Sequence, residues 1–593
     1  MRKGLNDLYK EREEKFSIQL ADLNSRINNI SNLRLLSALG SAVAIYFSFS
    51  YTVVAIAAIA LIVVFLYLVK RHAVLFRERV HVENLVRINK NERRSLHGDF
   101  TVFAAGNEFI DPHHPYSHDL DIFGEGSLFQ YLNRCNTIHG RRKLAFWLEE
   151  PLSDSETIRQ RQESIKDLVP RIDFRQDAAA GSAEMEEQQN DRAQLLQWLE
   201  QPSILRDSAS LRLSLWIIPA LTIISLAATF FSPFAKIPLA LFIVVQWILT
   251  GTRLKKINVF HDYIGRKKNI LQKHAQFLFY VERESFKSTR LIEITQRAKD
   301  AHQRINEMAS LVSALDARTN SMMTLVVNSL LLYDLQCVYR LERWKEKNAD
   351  LLPVWLDLIS EIEALNSLAT YAFNNPDAVF ASIHEELKID GRDLAHPLIS
   401  AEERVVNSFQ LGADASIAII TGANMAGKST FLRTVGVSVV LALSGAPVCA
   451  SSFSCPVLQL RSGMRTTDSL KDHQSYFYAE LNRLRSIMDE LRSNKPLLIL
   501  LDEILKGTNS NDKQAGSIAL VKQLLPYPCL ALIATHDLAL GDLEHEFPGR
   551  VRNLSFEANI ENDQLSFDYK LKNGMATKMN ASFLMRKMGI IPE

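Results

Sequence analysis

The distribution of hydrophobic and polar positions divides the chain into three kinds of segment. Two stretches carry almost no charge, since 35–69 contains no charged residue and 213–252 contains a single lysine. Two others, 127–210 and 254–375, space their apolar residues by three and four positions and therefore predict packed helices. Beyond about residue 385, short continuous apolar runs alternate with helical patterns, which is typical of buried parallel strands in an α/β domain.

The two uncharged stretches have lengths expected of helical hairpins in a membrane. A crossing helix needs about 20 apolar residues, so 35–69 is too long for one span and suffices for two short ones. A turn is expected near Ser48–Tyr51, and Ser232–Pro238 interrupts the second stretch with two prolines. Together the stretches predict four spans. Buried core helices are the alternative, although this much uncharged sequence exceeds ordinary core helices.

Charged residues beside the hairpins predict which side of the membrane the rest of the chain occupies. Basic residues flank both hairpins, whereas the two turns contain one lysine in total. The positive-inside rule therefore places the flanks and the C-terminal domain in the cytoplasm. The first stretch is too long for a cleaved signal peptide and has no clear cleavage site. The flanking residues are Arg26, Arg34, Lys70, Arg71, Arg206, Arg212, Arg253, Lys255 and Lys256.

A glycine loop at 422–430 carries the most specific chemistry of the chain. It reads Gly-Ala-Asn-Met-Ala-Gly-Lys-Ser-Thr, fits the pattern G-x-x-x-x-G-K-[ST], and lies between apolar runs at 416–420 and 431–443. Between a strand and a helix, the N–H groups of such a loop cradle phosphates, and the helix N-terminus adds positive charge. Lys428 is expected to reach the β- and γ-phosphates and Ser429 to bind Mg²⁺. A chance match in a glycine turn is the alternative.

Two later apolar runs end in residues that would complete a nucleoside triphosphatase site. The run 497–501 is followed by Asp502 and Glu503, and the run 530–535 is followed by His536. At the carboxyl end of a buried strand, Asp502 can bind Mg²⁺ through water, and Glu503 can act as general base on the attacking water. His536 can hydrogen-bond the γ-phosphate. The catalytic residues predicted for this Mg²⁺-dependent ATPase are Lys428, Glu503 and His536.

These motifs resemble those of the MutS family of DNA mismatch repair ATPases. The pair Asn424–Met425 within the glycine loop is the distinctive feature. The segment 501–510 is similar to the second nucleotide motif of the family, and Ser475–Leu481 resembles its signature Ser-x-Phe-x-x-Glu-Met. The stretch 574–592 looks like the closing helix of the MutS ATPase.

The resemblance extends upstream and departs from the family in two places. The segment 127–152 is similar to the start of the MutS helical core, and 396–398 looks like the lead-in to its ATPase domain. Ala426 stands where the family usually has glycine, and 472–474 stands where it tends to have a glycine-bearing turn. Neither departure removes a phosphate or metal ligand, but the second affects the geometry of the signature.

The resemblance implies a multidomain fold. An α-helical core and lever region would carry two transmembrane helical hairpins and precede a C-terminal α/β P-loop ATPase domain of the ABC type. Two such domains would sandwich ATP in a homodimer, with Ser475 aiming a helix terminus at the partner's γ-phosphate and Asn509 in the loop that crosses the interface. From the residues alone, a helix N-cap for Ser475 and a turn for Asn509 stay open. The implied ATP-binding residues are Gly422, Asn424, Met425, Gly427, Lys428, Ser429, Thr430, Ser475 and Asn509, and the implied Mg²⁺ ligands are Ser429 and Asp502.

The predicted domain organisation follows from these patterns. In chain order it comprises a charged N-terminal helix (1–32), a transmembrane hairpin (33–71), a juxtamembrane helix and connector (72–126), the first part of the helical core (127–210), a second transmembrane hairpin (211–253), the second part of the helical core (254–384) and the ATPase domain (385–593).

DNA is the partner that the resemblance implies, although the residues that would read it are not evident. Mismatch-reading MutS proteins stack a phenylalanine of an N-terminal Phe-x-Glu motif on the mispaired base, and 76–78 and 123–125 match those letters only by chance. With a net charge of +1, DNA contact would need a local basic patch. We expect a membrane-anchored dimeric clamp on DNA, mismatched or branched DNA included. A clamp on a protein partner is the alternative, and the lack of a Leu-Ser-Gly-Gly-Gln motif disfavours an ABC transporter half.

A connector at 98–126 raises the question of a metal site. Its stretch 113–121 contains three histidines and two aspartates, which could supply ligands. Prolines at 112 and 115 mark a turn, however, and the spacing fits no common zinc pattern. A polar connector docked on the core is therefore expected. The five cysteines have neither metal-site spacing nor an even number, which favours a reducing compartment.

Overall fold

The computed structural model describes residues 2–48, 51–185, 188, 190–205, 209–265, 267–317, 321–465, 476–506, 508–561 and 564–576. A helix-rich region precedes an α/β region. The helices are α1 (Arg2–Ser48), α2 (Thr52–Leu96), α3 (Leu128–Leu132), α4 (Ile138–Glu149), α5 (Ser155–Leu168), α6 (Ile172–Ala183), α7 (Asp191–Glu200), α8 (Ala209–Ala228), α9 (Lys236–Gly251), α10 (Leu254–Ile264), α11 (Lys268–Arg283), α12 (Thr289–Ala298), α13 (Ala301–Asp316), α14 (Ser321–Leu331), α15 (Tyr333–Asn348), α16 (Leu351–Asn374), α17 (Lys428–Leu443), α18 (Tyr476–Leu491), α19 (Ser510–Leu524) and α20 (Leu543–Glu546). The strands are β1 (Val379–Phe380), β2 (Ser382–His384), β3 (Ile389–Leu394), β4 (Asn407–Leu411), β5 (Ile417–Gly422), β6 (Pro447–Val448), β7 (Ser452–Pro456), β8 (Gln459–Gly463), β9 (Leu497–Asp502), β10 (Cys529–Thr535), β11 (Val551–Glu561) and β12 (Gln564–Asn573).

The first uncharged stretch forms the outer end of a long hairpin made by α1 and α2. The break between the helices coincides with the predicted turn, since α1 ends at Ser48 and α2 begins at Thr52. A Cβ on Gly40 would lie 3.5 Å from a methyl group of Leu61, so small residues let the helices approach closely. Both helices continue into the polar sequence beside them. The expected boundaries at 32/33 and 71/72 therefore fall inside continuous helices, because neither has a proline or glycine to end one.

The second uncharged stretch forms the hairpin of α8 and α9. The helices separate at the predicted breaker, and α14 packs against both of them. Large apolar side chains such as Trp216 and Leu241 face outward on this hairpin. Among the described residues, the helices long and apolar enough to cross a membrane number four, and they lie within Lys3–Ser48, Val53–Leu96, Ala209–Ala228 and Pro233–Gly251.

The remaining helices form layers between the α/β region and the second hairpin. The long helix α16 packs against α4, α5, α11 and α12 and leads into the first strand. From there α11 contacts α13, α13 contacts α15, and α15 contacts α14, which lies against α8 and α9. Along this path of contacts, the second hairpin is the element farthest from the α/β region.

The α/β region is built on a six-stranded sheet of order β12-β11-β5-β10-β9-β8. Only β12 runs antiparallel to its neighbour. Alternate residues of β5 face opposite sides of the sheet. Ile417 and Ile419 join a core with α18 and α19, while Ala418 and Ile420 join the larger core that includes α17 and the helical region. The strands are apolar on both faces for this reason, as the continuous apolar runs predict.

Candidate functional site

The glycine loop and the predicted catalytic residues meet at one edge of the sheet. Asp502 at the end of β9 is level with Ala534 of β10, and Thr535 is level with Thr421 of β5. These strands are parallel, so the residues that follow their carboxyl ends emerge side by side. The residues brought together in this way are Gly422, Glu503 and His536.

The loop from 422 to 430 has a conformation that its glycines make accessible. Gly427 has a φ of 106° and immediately precedes α17. A Cβ at Gly422 would lie 2.4 Å from the carbonyl oxygen of Phe556, so no other residue fits where β5 passes β11. Met425 also has a positive φ, 67°, and is exposed. Ala426, the departure from the family glycine, is buried without a positive φ, so its methyl group is accommodated.

Lys428 places a cation at the centre of the loop. Its Nζ donates to the carbonyl oxygens of Gly422 at 2.7 Å and Ala423 at 2.9 Å. Burial lowers the pKa of Lys428, and the nearby carboxylates of Asp502 and Glu503 oppose that shift. An ammonium group held beside an anion-binding loop has the charge and position to bind phosphate oxygens.

Glu503 and His536 form a close pair beside Lys428. His536 Nε2 lies 2.5 Å from Glu503 Oε1, and its Nδ1 lies 2.9 Å from the carbonyl oxygen of Gly422. Each ring nitrogen thus faces a carboxylate or carbonyl oxygen, and Lys428 Nζ lies 3.5 Å from Nδ1. The hydrogen bond from His536 is the main cause that lowers the pKa of Glu503 to about 2, and Lys506 at 3.6 Å adds to it.

The turn after β9 is strained and is held by a residue of α18. Glu503 and Leu505 have φ values of 53° and 59°, which non-glycine residues rarely adopt. The N–H of Leu505 donates to Oε1 of Glu480 at 2.6 Å, and the Glu503 N–H donates to the carbonyl oxygen of Ala534 at 2.9 Å. Glu480 belongs to the segment that resembles the family signature, so this segment supports the turn that positions Glu503. Sequence reasoning did not assign Glu480 this role.

A cavity of about 420 Å³ opens beside the loop and has the size of a small-molecule site. Its walls include Asn424, Ser429, Thr430 and Glu503 from the predicted site. One further wall is His396, which belongs to the lead-in at 396–398, and others come from elements in which the sequence shows no motif. Tyr569 of β12 is one of them, and its carbonyl oxygen accepts from Nδ2 of Asn407 at 3.0 Å. No sequence signal could have found these residues, because only the packing of β4 and β12 brings them to the loop.

The remaining site residues have different outcomes. Asn509 is the N-cap of α19 and accepts from the N–H of Asp512 at 2.9 Å, a local role that differs from the turn residue left open by its sequence. Its expected position at a subunit interface stays a prediction. Ser475 lies outside the described residues, although α18 begins at the next position. Ser429 and Asp502 supply the hydroxyl and carboxylate oxygens that Mg²⁺ prefers, so the donor set fits this ion.

The connector at 98–126 docks on the α/β region through its acidic residues. Asp119 is fully buried and accepts hydrogen bonds from Ser462 and Arg483, and Asp121 pairs with Arg465. In the part of the chain that the structure describes, no group of three potential metal ligands is found. The prediction of a polar connector docked on the core is confirmed, and its docking partner is the α/β region.

Comparison with protein families gives two matches to this chain. A family described as MutS domain III matches residues 117–369, and a family described as MutS domain V matches residues 418–592. The first match runs through the helical region and includes α8 and α9. The second begins in β5 and includes the glycine loop, Asp502, Glu503 and His536.

Individual relatives carry the same description. The chain is 33% identical over 242 residues to the DNA mismatch repair protein MutS of Thermotoga maritima, a match that covers 40% of this chain and 30% of the relative. Against the MutS of Thermotoga petrophila it is 25% identical over 495 residues, covering 76% of this chain and 60% of the relative. The MutS of Clostridioides difficile is 33% identical over 236 residues, 38% of this chain and 24% of the relative. The matches thus span less than two thirds of each relative.

Proposed function

From the premise that this chain belongs to the MutS family, we propose that it is a membrane-anchored, Mg²⁺-dependent ATPase that works as a homodimeric clamp on DNA. One observation carries the proposal. The glycine loop, Lys428, the pair Asp502–Glu503 and His536 converge at the carboxyl edge of one parallel sheet, beside a cavity of nucleotide size. This is where an α/β sheet binds its ligands. The α/β region is thereby proposed to be a P-loop ATPase domain of the ABC type.

Each residue of the site has a task that its position supports. The loop N–H groups and Lys428 bind the phosphates of ATP and hold the γ-phosphate in place. Asn424, Met425 and Thr430 border the phosphates from the exposed side of the loop. Ser429 and Asp502 would hold Mg²⁺, which neutralises phosphate charge when it is bound. Glu503 accepts a proton from the attacking water.

Before ATP binds, the pairing of Glu503 with His536 would keep the site inactive. A carboxylate whose pKa is lowered to about 2 is a poor proton acceptor. A γ-phosphate would offer His536 a stronger acceptor than Glu503 does, and the histidine would then release the carboxylate. Binding of ATP thereby activates the base that hydrolyses it, and the same histidine reports the γ-phosphate to the rest of the protein.

The homodimer follows from the division of the ATP site between two chains. Each chain has one glycine loop, and the resemblance assigns Ser475 and Asn509 to the nucleotide bound by the partner. ATP would close the dimer, hydrolysis would open it, and the helical regions would move with the ATPase domains.

Membrane anchoring is proposed from the two hairpins. Their outward faces are apolar, and each carries basic residues at its base, such as Lys70 and Arg253. The positive-inside rule then places the ATPase domain in the cytoplasm. A multi-pass membrane protein with the organisation given by the sequence is the location we propose.

Lysine and glutamate variants test the ATPase directly. Lys428→Ala should abolish ATP binding, and Glu503→Gln should bind ATP, hydrolyse it at least about a hundredfold more slowly and accumulate as a closed dimer. The measurements are nucleotide binding, phosphate release, and the molecular mass of the detergent-solubilised protein, which distinguishes dimer from monomer. Lys522→Ala is the matched control, since this lysine pairs with Glu546 on the surface of the same domain. If Glu503→Gln hydrolysed ATP at the wild-type rate, Glu503 would not be the general base.

Binding to DNA is tested with the detergent-solubilised full chain. Homoduplex, mismatched and branched DNA are titrated across a salt series, with and without ATP. Binding that weakens as salt rises would support phosphate contact, and preference for one structure would define the ligand. No salt-dependent binding to any of them would favour the alternative, an ATP-driven clamp on a protein partner.

A further inference from the structure

The connector segment 115–121 contacts three elements around the proposed ATP site, namely α17, the end of β8 and α18. Arg433 of α17, the helix that begins in the glycine loop, donates from Nε to the carbonyl oxygen of Asp119 at 3.0 Å. A Cβ on Gly436 of the same helix would lie 2.9 Å from a methyl group of Leu120, so the absent side chain makes room for Leu120. The connector is therefore inserted against α17 and is not a loose linker.

The buried carboxylate of Asp119 joins the end of β8 to α18. Its Oδ2 accepts from Ser462 Oγ at 2.7 Å and from the N–H of Met464 at 3.1 Å, and its Oδ1 accepts from the N–H of Arg465 at 3.0 Å. The fourth donor is Arg483 of α18, whose Nη2 lies 2.8 Å from Oδ2. A buried carboxylate with four fixed donors allows little movement of any of them.

Arg483 binds α18 both to the end of β8 and to the connector. Its Nε donates to the carbonyl oxygen of Ser462 at 2.6 Å, and its Nη2 also approaches the carbonyl oxygen of Pro115 at 3.4 Å. One turn earlier on the same helix, Glu480 holds the N–H of Leu505 in the turn that carries Glu503. The first turns of α18 are thus tied to the connector on one side and to the catalytic turn on the other.

The other end of the segment is fixed to the helical region. Tyr116 donates its hydroxyl to the carbonyl oxygens of Leu148 and Glu149, both at 2.7 Å, at the end of α4. Leu120 and Ile122 are fully buried in the core that the helical region shares with α17. A displacement of α18 would therefore be passed to α4 through a short, buried and hydrogen-bonded path.

We propose that the segment 115–121 positions α18, and that the Asp119–Arg483 link sets this helix so that each subunit completes the ATP site of its partner. The inference rests on the proposed ATPase function, because only a shared site gives α18 a task in the partner. Asp119 and Arg483 are positioning residues, which touch neither ATP nor the attacking water. A displacement of about 1 Å in a catalytic group can cost roughly a hundredfold in rate.

The test uses Arg483→Gln in the full chain in detergent. Arg483 is partly exposed, so its replacement should leave the fold intact. Arg485→Gln on the same helix is the matched control, because Arg485 is exposed and, among the described residues, forms an ion pair with Asp489 alone. We expect Arg483→Gln to lower kcat at least tenfold with KM within about twofold, because the nucleotide-binding residues of its own chain are intact. Unchanged kcat would overturn the inference. Asp119→Asn is the second variant, and it should likewise lower kcat while leaving KM within about twofold of the wild-type value.

Mixing of subunits separates positioning from a merely structural role. Lys428→Ala has an intact α18 but no ATP of its own, whereas Arg483→Gln binds ATP but has a displaced α18. A mixed dimer therefore contains one site with an intact loop and an intact partner helix. An equimolar mixture should regain up to about one quarter of wild-type activity, since half of the dimers are mixed and each has one site of two, and it should regain less in proportion as the displaced α18 also disturbs the Glu503 turn of its own chain. No recovery would overturn the inference. A wild-type protein without ATP hydrolysis would instead refute the proposed function itself.

Discussion

Glu503 is the residue whose chemistry depends most on its neighbours. An Asp-Glu pair after an apolar run predicts a metal ligand and a base, and in the structure His536 lies against Glu503 and lowers its pKa to about 2. The strained backbone at 503 and 505 is stabilised by Glu480 and by β10. A short motif thus predicts the reacting groups, while contacts from α18, from β10 and from the histidine after β10 set the geometry of Glu503.

A second single residue, His81, leads to a prediction about how the stability of the protein depends on pH. It lies on α2 with Nε2 at 3.1 Å from Asp177 and Nδ1 at 3.7 Å from Glu184. Burial lowers the pKa of His81, but the hydrogen bond to Asp177 and the nearby carboxylate of Glu184 outweigh it and raise the pKa from 6.5 to about 9. The folded-state pKa lies above the ordinary one, so the stabilisation is complete below about pH 6.5 and is lost as pH rises to about 9.

We expect His81→Gln to destabilise the protein at pH 6.5 and to have no effect above about pH 9. The measurement is thermal unfolding of wild type and variant in detergent from pH 6 to pH 10. His72→Gln on the same helix is the control, since His72 stacks on Phe76 and has no carboxylate partner among the described residues. A stability difference that does not change with pH would contradict this prediction.

The helices of the two hairpins differ in how they join the rest of the molecule. The hairpin of α1 and α2 is attached through its polar half, where Tyr9 donates to Asn374 Oδ1 at 2.8 Å and Arg12 donates from Nε to Gln176 Oε1 at 2.9 Å. The hairpin of α8 and α9 is attached within its apolar half. Gln246 is fully buried there, donates to Thr222 Oγ1 at 2.6 Å, and accepts from the N–H of Leu332 at 3.0 Å.

Gln246→Leu should therefore loosen α14 from the second hairpin. Leu332 has a φ of 50° between α14 and α15, and its N–H would lose the nearer of two acceptors, the other being the carbonyl oxygen of Asn328 at 3.3 Å. A hydrogen bond between membrane helices contributes about 1 kcal/mol, so amide exchange in α14 and at Leu332 should become roughly fivefold faster. Hydrogen-exchange mass spectrometry measures this. Val244→Leu, an exposed position of α9, should leave the exchange unchanged. Equal exchange in both variants would exclude this role for Gln246.

At the scale of the whole molecule, the α/β region is connected to the helices through two sets of contacts. One is the connector at 115–121, which joins α17, β8 and α18 to α4. The other is the succession from α16 through α11, α13 and α15 to α14, which ends at the second hairpin. The first hairpin packs on α6 and meets this succession at the end of α16, where Tyr9 donates to Asn374. The two hairpins are therefore expected to differ in function, the first as an anchor and the second as a part of the helical region.

Removal of each hairpin tests this difference. Replacement of 35–69 by a short glycine–serine loop should preserve folding and ATP hydrolysis, because contacts of α1 and α2 with the core, such as those of Tyr9, Arg12 and Glu92, lie outside that stretch. Replacement of 213–252 should destabilise the helical region, because it removes the buried Leu215 and the acceptor for Leu332. The measurements are thermal unfolding, phosphate release and membrane sedimentation. Equal effects of the two replacements would contradict the assignment.

Much of the local architecture could be predicted from the sequence, and the long-range contacts could not. The hairpin turn near 48–51, the breaker in the second hairpin, the strands at 497–501 and 530–535 and the loop at 422–430 all lie where their patterns predict. The role of Glu480, the cavity wall at Tyr569 and the docking of Asp119 on Arg483 were missed. Each of these joins residues that are distant in the chain, and no spacing or composition encodes such a pair.

The amino-acid sequence by itself determined which segments are helices, strands and phosphate loop, because apolar periodicity and glycine placement act within a few residues of the chain. Only the tertiary structure decided that the base is paired with a histidine, that a polar connector joins the α/β region to the helices, and that the two uncharged hairpins are attached differently. These features depend on burial and on hydrogen bonds between distant segments, which take their strength from exclusion of water in the folded state.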